Sequence, residues 1–462
     1  MTPRLLPEAF GEVARLASLV EAEGACALPG CSLKFETFIP VMWRAVERGF
    51  VAQADAEHVF DGLRYGFNGG VIKELLMGKG GQIFKNYRTA LEARSYVTKA
   101  LNARITASKS IVLGTWTTAL HGSLSSIYGD FSIFPLGAQK KALEDAYRPT
   151  SDHTRTGLNE ATNLRYLRHS LDTYNEIAWN LLNGYFMRVS DVKDAFPTLP
   201  LAPWLWPFFM CRFFLNDDSD TSSLIMHLFA DFGAAGFPGE FYVFFVKVVV
   251  NMARSELVLT LPMPIYVDDM GLIGRDASFI DAEMRAFQLW ALAVIGLAFK
   301  WLKDKTAATR QLMIGFWWDS RARTRTLEEN RLASYLKMLL EFSSRRVLSL
   351  VERQQIAGRM HRAVMTLPPG ASCFLSNMFN LARGLRLPWH KRRTTAAEKG
   401  DYCTLHRLLS ANLGRGYFSY DLSTWAYPCF SDACKSARFA GGGWISGCGR
   451  FNIFTYGASD RR

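Results

Sequence analysis

The sequence predicts an α+β fold, in which strands that end in acidic residues alternate with amphipathic helices. Two apolar segments lead into carboxylates, at 189–196 and at 264–274, and both have the length and pattern of strands. Helical periodicity precedes the first segment, at 164–182, and follows the second, at 276–295. Helix followed by strand in this order is typical of an α+β sheet.

Composition places the chain among globular proteins that bind a polyanion. Its 462 residues are 49% hydrophobic and 21% charged, which excludes wholesale disorder and allows several subdomains. The net charge of +12 favours a partner rich in phosphate. The apolar stretches 199–215 and 232–253 contain prolines and charged residues, so we expect no membrane span. No cysteine spacing fits zinc and no secretory signal is visible, so we expect reduced thiols in an intracellular, soluble protein of the cytoplasm or nucleus.

The first 110 residues are informative mainly by their periodicity. Segments 10–23 and 38–50 predict amphipathic helices, and we expect a mainly helical N-terminal region. Lysines and arginines then recur between positions 73 and 104. They are either a solvated helical face or part of a nucleic-acid-binding surface.

Two basic strands follow, at 134–141 and 147–154, and a short acidic turn joins them. Such a hairpin could close over a triphosphate; the alternative is a charge-paired hairpin without a substrate. His153 is interpreted as a local hydrogen-bonding residue, because no second histidine lies at metal-ligand spacing.

The acidic segment 264–274 predicts a β-hairpin with Asp268 and Asp269 at its turn. Adjacent carboxylates at a buried turn repel each other unless a cation neutralises them, and hard oxygen ligands suit Mg²⁺. With Asp191 at the end of the other acidic strand, three carboxylates could converge on two metal ions about 4 Å apart, the arrangement for in-line phosphoryl transfer. The alternative for a pair of aspartates is a solvated turn.

With both acidic motifs in place, the pattern resembles the palm of a reverse transcriptase. Residues 266–269 (YVDD) are similar to the YxDD box of that family, and residues 191–196 (DVKDAF) to its DxxDAF/Y box. The resemblance implies a right-hand polymerase with fingers, an antiparallel palm sheet and a helical thumb. It also implies RNA-directed DNA synthesis from an RNA template, a DNA primer and dNTPs, with two Mg²⁺ ions that Mn²⁺ can replace. The oligomeric state stays open.

The resemblance assigns roles to individual residues. Asp191, Asp268 and Asp269 would hold the metal ions, and Lys303, with Lys305 as second choice, would protonate the departing pyrophosphate. Phe196 would act as a steric gate against the ribose 2′-hydroxyl, although a core aromatic is the alternative. The nucleotide-binding residues would be Lys141, Arg148, Asp194, Ala195, Phe196, Gly233, Gly236, Pro238 and Tyr266.

The resemblance also divides the chain into regions. They are the N-terminal region (1–110), fingers (111–180), palm (181–310), primer grip and thumb (311–385), connector (386–425) and a partial ribonuclease H-like segment (426–462). Residues 326–385 look all-helical, with capping boxes that start at Thr326 and Ser349. Asp432 resembles the first metal carboxylate of a ribonuclease H, but the acids that complete such a site do not follow, so we expect no ribonuclease H activity.

The loop at 232–241, of the form FGxxxxPxxF, and the order of the regions resemble retrotransposons of the DIRS type. Two other functions stay open. One is a catalytically inactive, nucleic-acid-binding remnant of such an element. The other is an RNA-dependent RNA polymerase, which Phe196 disfavours because the sugar-selecting position of that class is usually polar.

Overall fold

A computed structural model describes most of the chain and divides it into two compact units. The described residues are 6–140, 146–167, 169–171, 174–301, 304–367, 371–387, 389–418, 430–435, 439–445 and 451–457. The first unit comprises Met1–Thr173, Arg188–Leu272 and Ser278–Thr306. The second unit comprises Tyr174–Met187, Ile273–Ala277 and Ala307–Arg462.

Helices make up most of the N-terminal region, as the sequence predicts. In chain order the helices are α1 (Leu6–Glu23), α2 (Phe35–Glu47), α3 (Gln53–Tyr65), α4 (Arg88–Glu92), α5 (Arg94–Thr106), α6 (Thr118–Tyr128), α7 (Tyr174–Asn180), α8 (Phe237–Phe241), α9 (Asn251–Leu257), α10 (Ala277–Trp290), α11 (Glu329–Ser344), α12 (Leu350–Ala363), α13 (Ser376–Ala382) and α14 (Ala396–Ala411). The helix predicted at 276–295 is α10 with a π-helical last turn, Ala291–Ile295, and it ends at Gly296.

Short strands complete the mixed architecture. In chain order they are β1 (Gly81–Ile83), β2 (Ser110–Thr115), β3 (Phe131–Phe134), β4 (Leu136–Lys140), β5 (Tyr147–Ser151), β6 (Phe186–Asp191), β7 (Met210–Phe213), β8 (Ser223–His227), β9 (Ile265–Tyr266), β10 (Asp269–Gly274), β11 (Arg310–Met313), β12 (Phe316–Asp319), β13 (Thr324–Leu327), β14 (Val347–Ser349), β15 (Lys391–Arg393), β16 (Arg415–Tyr417), β17 (Phe430–Lys435), β18 (Phe439–Ile445) and β19 (Phe451–Gly457).

Three sheets of the described residues shape the first unit. The largest has the order β1-β3-β7-β8-β2, with β3 parallel to both β1 and β7 and the other pairs antiparallel. The second is the antiparallel hairpin β4-β5, in which Lys140 lies opposite Tyr147; it confirms the predicted pair of basic strands. The third has the order β6-β10-β9 and carries both acidic motifs.

A continuous apolar helix forms the centre of the first unit. It consists of α8, a π-helical stretch (Tyr242–Val250) and α9. Because this stretch is apolar on nearly every side, most of it is buried. The ring of Phe244 packs against the rings of Phe38 and Phe67, at 6.0 and 6.3 Å between centroids. Each fully buried aromatic side chain contributes about 2 kcal/mol to the free energy of unfolding.

The prediction of a helix at 164–182 is wrong for most of that segment. Of its described residues, only Tyr174–Asn180 form a helix. Leu167 instead fills the space beside Gly70 and Gly239, where a Cβ atom would come within 3.0 Å or less of it. The apolar spacing of this segment therefore serves irregular tertiary packing rather than one face of a helix.

The second unit combines an antiparallel sheet with packed helices. Its sheet has the order β11-β12-β13-β16. Helix α14 packs against α11 and buries Tyr402 and Leu405, so part of the predicted connector belongs to the helical bundle. Arg353 of α12 forms an ion pair with Glu398 of α14, and neither side chain is exposed.

One of the two predicted capping boxes forms. Ser349 Oγ accepts a hydrogen bond from Glu352 N (3.3 Å), and the Ser349 amide donates to Glu352 Oε2 (2.7 Å). The box predicted at Thr326 is wrong, because Thr326 lies in β13 and α11 begins at Glu329. Strand β14 also interrupts the region predicted to be all-helical.

The C-terminal strands agree with the predicted strand, loop and glycine-rich returning strand. Strands β17 and β18 are antiparallel, with Asp432 opposite Gly443, and β19 pairs with β18. The side chain of Asp432 is outside the part of the structure that is described. Across the ranges that the structure describes, no helix combines the length and hydropathy needed to cross a membrane.

Candidate active site

The acidic hairpin forms as the sequence predicts. Strands β9 and β10 pair through Tyr266 and Asp269, and Val267 with Asp268 makes the two-residue turn. Val267 has a φ of 60°, which is rare for a β-branched residue. Such strained backbone concentrates at functional sites, where the surrounding structure holds it in place. The turn presents Asp268 half-buried at the tip of the hairpin.

The strand that ends at Asp191 lies directly beside this turn. The Val192 amide donates to the Asp268 carbonyl oxygen at 3.0 Å. On the other side, the Lys300 amide donates to the Asp191 carbonyl oxygen at 2.9 Å. The main chain at Asp191 is therefore held from both sides, and two motifs that are 77 residues apart in sequence meet at one place (positions 191 and 268).

Electrostatics at this place disfavour the ionised form of the Asp268 carboxylate. Burial raises the pKa of Asp268, and the nearby charge of Asp191 raises it further, while Lys300 and Arg148 oppose the shift. The raised pKa shows that the ionised carboxylate is disfavoured next to its neighbour. A cation between the two carboxylates would relieve this repulsion.

The donor set at the hairpin fits Mg²⁺ through two carboxylates. Within the described part of the chain, no three His, Cys, Asp or Glu side chains are grouped closely enough to hold a metal ion. Asp191 and Asp268 adjoin, and Asp269 is the first residue of β10. Mg²⁺ usually takes one or two protein carboxylates, because water and phosphate oxygens complete its shell. The convergence of all three aspartates stays a prediction.

Lys300 is a site residue that the sequence did not single out. Its Nζ lies 2.6 Å from Asp191 Oδ1. The sequence favoured Lys303 in the same segment, which lies outside the described residues, with Lys305 second. Lys300 reaches Asp191 because Phe299 forms a β-bridge with Val192, a long-range pairing that no local pattern reveals.

The β4-β5 hairpin brings Arg148 to the same place. Arg148 is exposed, its guanidinium lies 5.5 Å from the ring centroid of Phe232, and its charge acts on Asp268. Lys141, its predicted partner, lies outside the described residues. Phe232 belongs to the glycine-rich loop but was not predicted as a site residue; 37% of it is exposed.

The DVKDAF motif turns sharply after Asp191. Asp194 has a φ of 51°, and its carbonyl oxygen accepts a hydrogen bond from Thr198 Oγ1 at 2.8 Å. Its Oδ2 lies 3.6 Å from Nζ of Lys109, a largely buried lysine that sequence reasoning missed. Burial lowers the pKa of Lys109, and the charge of Asp194 opposes this. Ala195 is buried.

Phe196 packs into the core and contacts Phe232 of the glycine-rich loop. Only 6% of it is exposed, and its ring lies 4.8 Å from Phe232 and 6.0 Å from Phe241. The core interpretation of Phe196 is therefore correct. Phe196, Phe232 and Arg148 form one row of contacts, and the gate role of Phe196 stays a prediction.

The glycines of the 232–241 loop are required by close backbone packing. A Cβ at Gly233, where φ is 121°, would lie 1.9 Å from the Ser151 carbonyl oxygen. A Cβ at Gly236 would lie 1.7 Å from the carbonyl oxygen of Gly69. Pro238 follows in the first turn of α8, a position that proline favours. These contacts fix the loop against the hairpin and the N-terminal region.

Comparisons with known proteins identify the fold. No protein-family model and no curated protein matches the sequence. One similar solved structure is the foamy viral protease-reverse transcriptase dRH in complex with ds DNA, with TM-score 0.53 and 14% identity, covering 84% of this chain and 60% of that one. Another is the foamy viral protease-reverse transcriptase in complex with an RNA/DNA hybrid, with TM-score 0.53 and 13% identity, covering 90% of this chain and 52% of that one.

The chain therefore has a reverse transcriptase-like α+β fold, and the predicted fold class is confirmed. It spans between about half and three fifths of the length of these two structures. At this identity the likeness concerns the fold alone, and the ribonuclease H-like segment stays a prediction.

Proposed function

We propose that this chain is an RNA-directed DNA polymerase, which extends a DNA primer on an RNA or DNA template by nucleotidyl transfer. One observation carries the proposal: the bond from Val192 N to the Asp268 carbonyl oxygen sets two acidic motifs side by side. Lys300 acts on both carboxylates, and Arg148 acts on Asp268. Two carboxylates with flanking cations on a polymerase-type fold are the arrangement that phosphoryl transfer needs.

The carboxylates would position the reacting groups. Asp191, Asp268 and Asp269 would hold Mg²⁺, which when bound supplies charge neutralisation of the triphosphate and activation of the primer 3′-hydroxyl. Lys300 donates to Asp191 and so fixes the direction of this carboxylate. Most of the rate enhancement in such a reaction comes from positioning and electrostatic stabilisation.

The exposed Arg148 would bind the triphosphate of the incoming nucleotide. Its fork of donors matches phosphate oxygens, and its guanidinium lies over the Phe232 ring. From the resemblance we add Lys141 as a second triphosphate ligand and Lys303 as the proton donor to pyrophosphate. Asp194, Ala195 and Tyr266 would complete the nucleotide site.

Phe196 would select the sugar. Its ring packs against both Phe232 and Phe241, so it cannot yield easily to a ribose 2′-hydroxyl. This arrangement favours dNTPs over rNTPs and disfavours an RNA-dependent RNA polymerase.

We also propose double-stranded nucleic acid, with one RNA strand during first-strand synthesis, as the partner. The net charge of +12 supports this, and the two similar structures contain ds DNA and an RNA/DNA hybrid. The finer assignment, to a retrotransposon of the DIRS type, rests only on the form of the loop at 232–241 and on the order of the regions.

Primer extension tests the proposal directly. Purified protein would be given a DNA primer on an RNA template, with dNTPs or rNTPs, in Mg²⁺ or Mn²⁺, beside the Asp268→Asn variant. We expect metal-dependent DNA synthesis that the substitution abolishes. Salt-sensitive binding of the template-primer without any synthesis would refute the enzyme and leave an inactive binding remnant.

A further inference from the structure

A buried histidine–aspartate pair links the fingers-like hairpin to the glycine-rich loop. His153 Nε2 lies 2.9 Å from Asp231 Oδ1, and their exposed fractions are 0% and 4%. His153 comes two residues after the end of β5, the strand that carries Arg148. Asp231 immediately precedes Phe232. The pair therefore joins the two segments that bring Arg148 and Phe232 together.

The surroundings leave the His153 ring almost no freedom. Its centroid lies 4.4 Å from that of Phe134 and 4.6 Å from that of Phe209. Burial would raise the pKa of Asp231, but the charge and hydrogen bond of His153, with His227 and Arg104, lower it to about 2. The Asp231 carboxylate is thus ionised at neutral pH and directed at His153.

The His153–Asp231 pair is not an efficient way to stabilise the fold. His153 Nδ1 and Asp231 Oδ2 are buried without a hydrogen-bond partner among the described residues. Removing such groups from water costs free energy that one hydrogen bond does not fully offset. A pair of well-packed apolar side chains would serve the core at least as well, which suggests that this pair fixes a geometry instead.

The two segments meet at three successive points. His153 binds Asp231, the Ser151 amide donates to the Phe232 carbonyl oxygen at 3.4 Å, and Arg148 lies over the Phe232 ring. Asn159 then holds the next residues of the loop, through Gly233 O at 3.0 Å and Ala235 N at 2.8 Å. Among these contacts, the one between His153 and Asp231 joins two side chains through a hydrogen bond, so it is the contact that a side-chain substitution can remove.

We propose that His153 and Asp231 are positioning residues for nucleotide selection, which hold Phe232 against Phe196 and beneath Arg148. The inference rests on the proposed polymerase function and adds two specificity-determining residues to it. If the pair is lost, Phe232 moves relative to both partners. Arg148 then loses its support at the triphosphate, and Phe196 loses one wall of the sugar gate. Nucleotide affinity and sugar discrimination should weaken together, while template-primer binding should not change.

Two variants and a matched control test this. His153→Phe keeps a ring between Phe134 and Phe209 but removes the donor to Asp231. Asp231→Asn keeps the size and an acceptor but removes the charge. The control is His227→Gln: His227 is also buried and its charge also acts on Asp231, but its side-chain hydrogen bonds go to Ser110 (2.7 Å) and Cys211 (3.8 Å) rather than to the loop. For each protein one measures kcat and KM with dGTP and GTP, the template-primer Kd, thermal unfolding, and amide hydrogen exchange of residues 232–235.

For His153→Phe we expect the dNTP KM to rise about 10-fold and the dNTP/rNTP preference to fall about 10-fold, the scale of one lost buried hydrogen bond. Asp231→Asn should show the same changes, but smaller. In both variants the loop amides should exchange faster, while kcat and the template-primer Kd stay near wild-type values. His227→Gln should lose thermal stability without a change in sugar preference.

Several results would overturn the inference. An active wild type with unchanged KM, sugar preference and loop exchange in both variants would refute the positioning role and leave the polymerase function intact. Loss of the folded state in both variants would assign the pair to stability. A wild type without DNA synthesis would refute the proposed function and, with it, this inference.

Discussion

The two units differ in how they place charged residues: like charges lie close together in the first, and opposite charges pair in the second. In the first unit, Asp191 and Asp268 bring like charges together, and the pKa of Asp268 is raised by burial and by its neighbour. In the second unit, the opposite charges of Arg353 and Glu398 meet with no exposed surface, and Tyr402 also donates to Glu398 Oε1 at 2.6 Å. The first arrangement disfavours the ionised form of the Asp268 carboxylate. The second joins two helices.

The largest expected effect comes from breaking the like-charge pair. Asp268→Asn should lower DNA synthesis at least ~10³-fold, the scale of losing a main electrostatic stabiliser of the transition state. It should also raise the melting temperature of the metal-free protein at pH 7. The folded pKa of Asp268 is raised, so the wild type loses stability as pH rises from about 3.9, the ordinary Asp value, through the folded value. The gain in the variant should therefore shrink as pH falls towards about 4.

Primer extension and thermal scans across pH check this prediction. Asp217→Asn, at an exposed acid on another loop, is the control and should change neither quantity. Synthesis that persists in Asp268→Asn would contradict the assigned role of the hairpin.

The second largest effect is expected when one member of the opposite-charge pair is removed. Arg353→Met leaves Glu398 buried without its cation, so the free energy of unfolding should fall by about 3–5 kcal/mol. The double variant Arg353→Met/Glu398→Met should recover most of this loss, because it leaves no uncompensated charge. Urea unfolding of both proteins checks the prediction, and a single variant as stable as the wild type would contradict it.

A smaller effect is expected at the cation beside the carboxylates. Arg148→Ala should raise the dNTP KM about 10- to 100-fold, since a hydrogen bond to a charged group contributes about 1.5–3 kcal/mol. Arg148→Lys should lie between alanine and wild type, because it keeps the charge but loses the fork of donors. Arg155→Ala is the control: Arg155 lies over the Phe84 ring instead, at 5.6 Å. Equal KM values for Arg148→Ala and the wild type would remove Arg148 from the nucleotide site.

The smallest effect tests local stabilisation in the second unit. Ser349→Ala removes the N-cap of α12 and should lower the free energy of unfolding by about 1 kcal/mol. Thr326→Ala, at the capping box that does not form, should show no loss of a helix cap. Chemical denaturation of both variants measures the difference; an equal loss at the two positions would show that the cap is not its cause.

Local sequence patterns correctly predicted several secondary-structure elements and one helix cap. The acidic hairpin, the basic hairpin, α10 with its stop at Gly296 and the cap at Ser349 all form where the sequence placed them. Each depends on residues a few positions apart. The helix prediction at 164–182 was wrong because Leu167 packs against glycines that are distant in the sequence. The capping box predicted at Thr326 does not form because Thr326 pairs with a neighbouring strand.

By itself, the sequence determined the two acidic motifs, their strands and a fold of the reverse transcriptase type. Only the tertiary structure decided that Lys300 is the lysine at Asp191, that Lys109 faces Asp194, and that His153 pairs with Asp231. The physical reason is the range of the interactions. Strand and turn preferences act between near neighbours, whereas these contacts join residues 78 or more positions apart and exist only after the chain has folded.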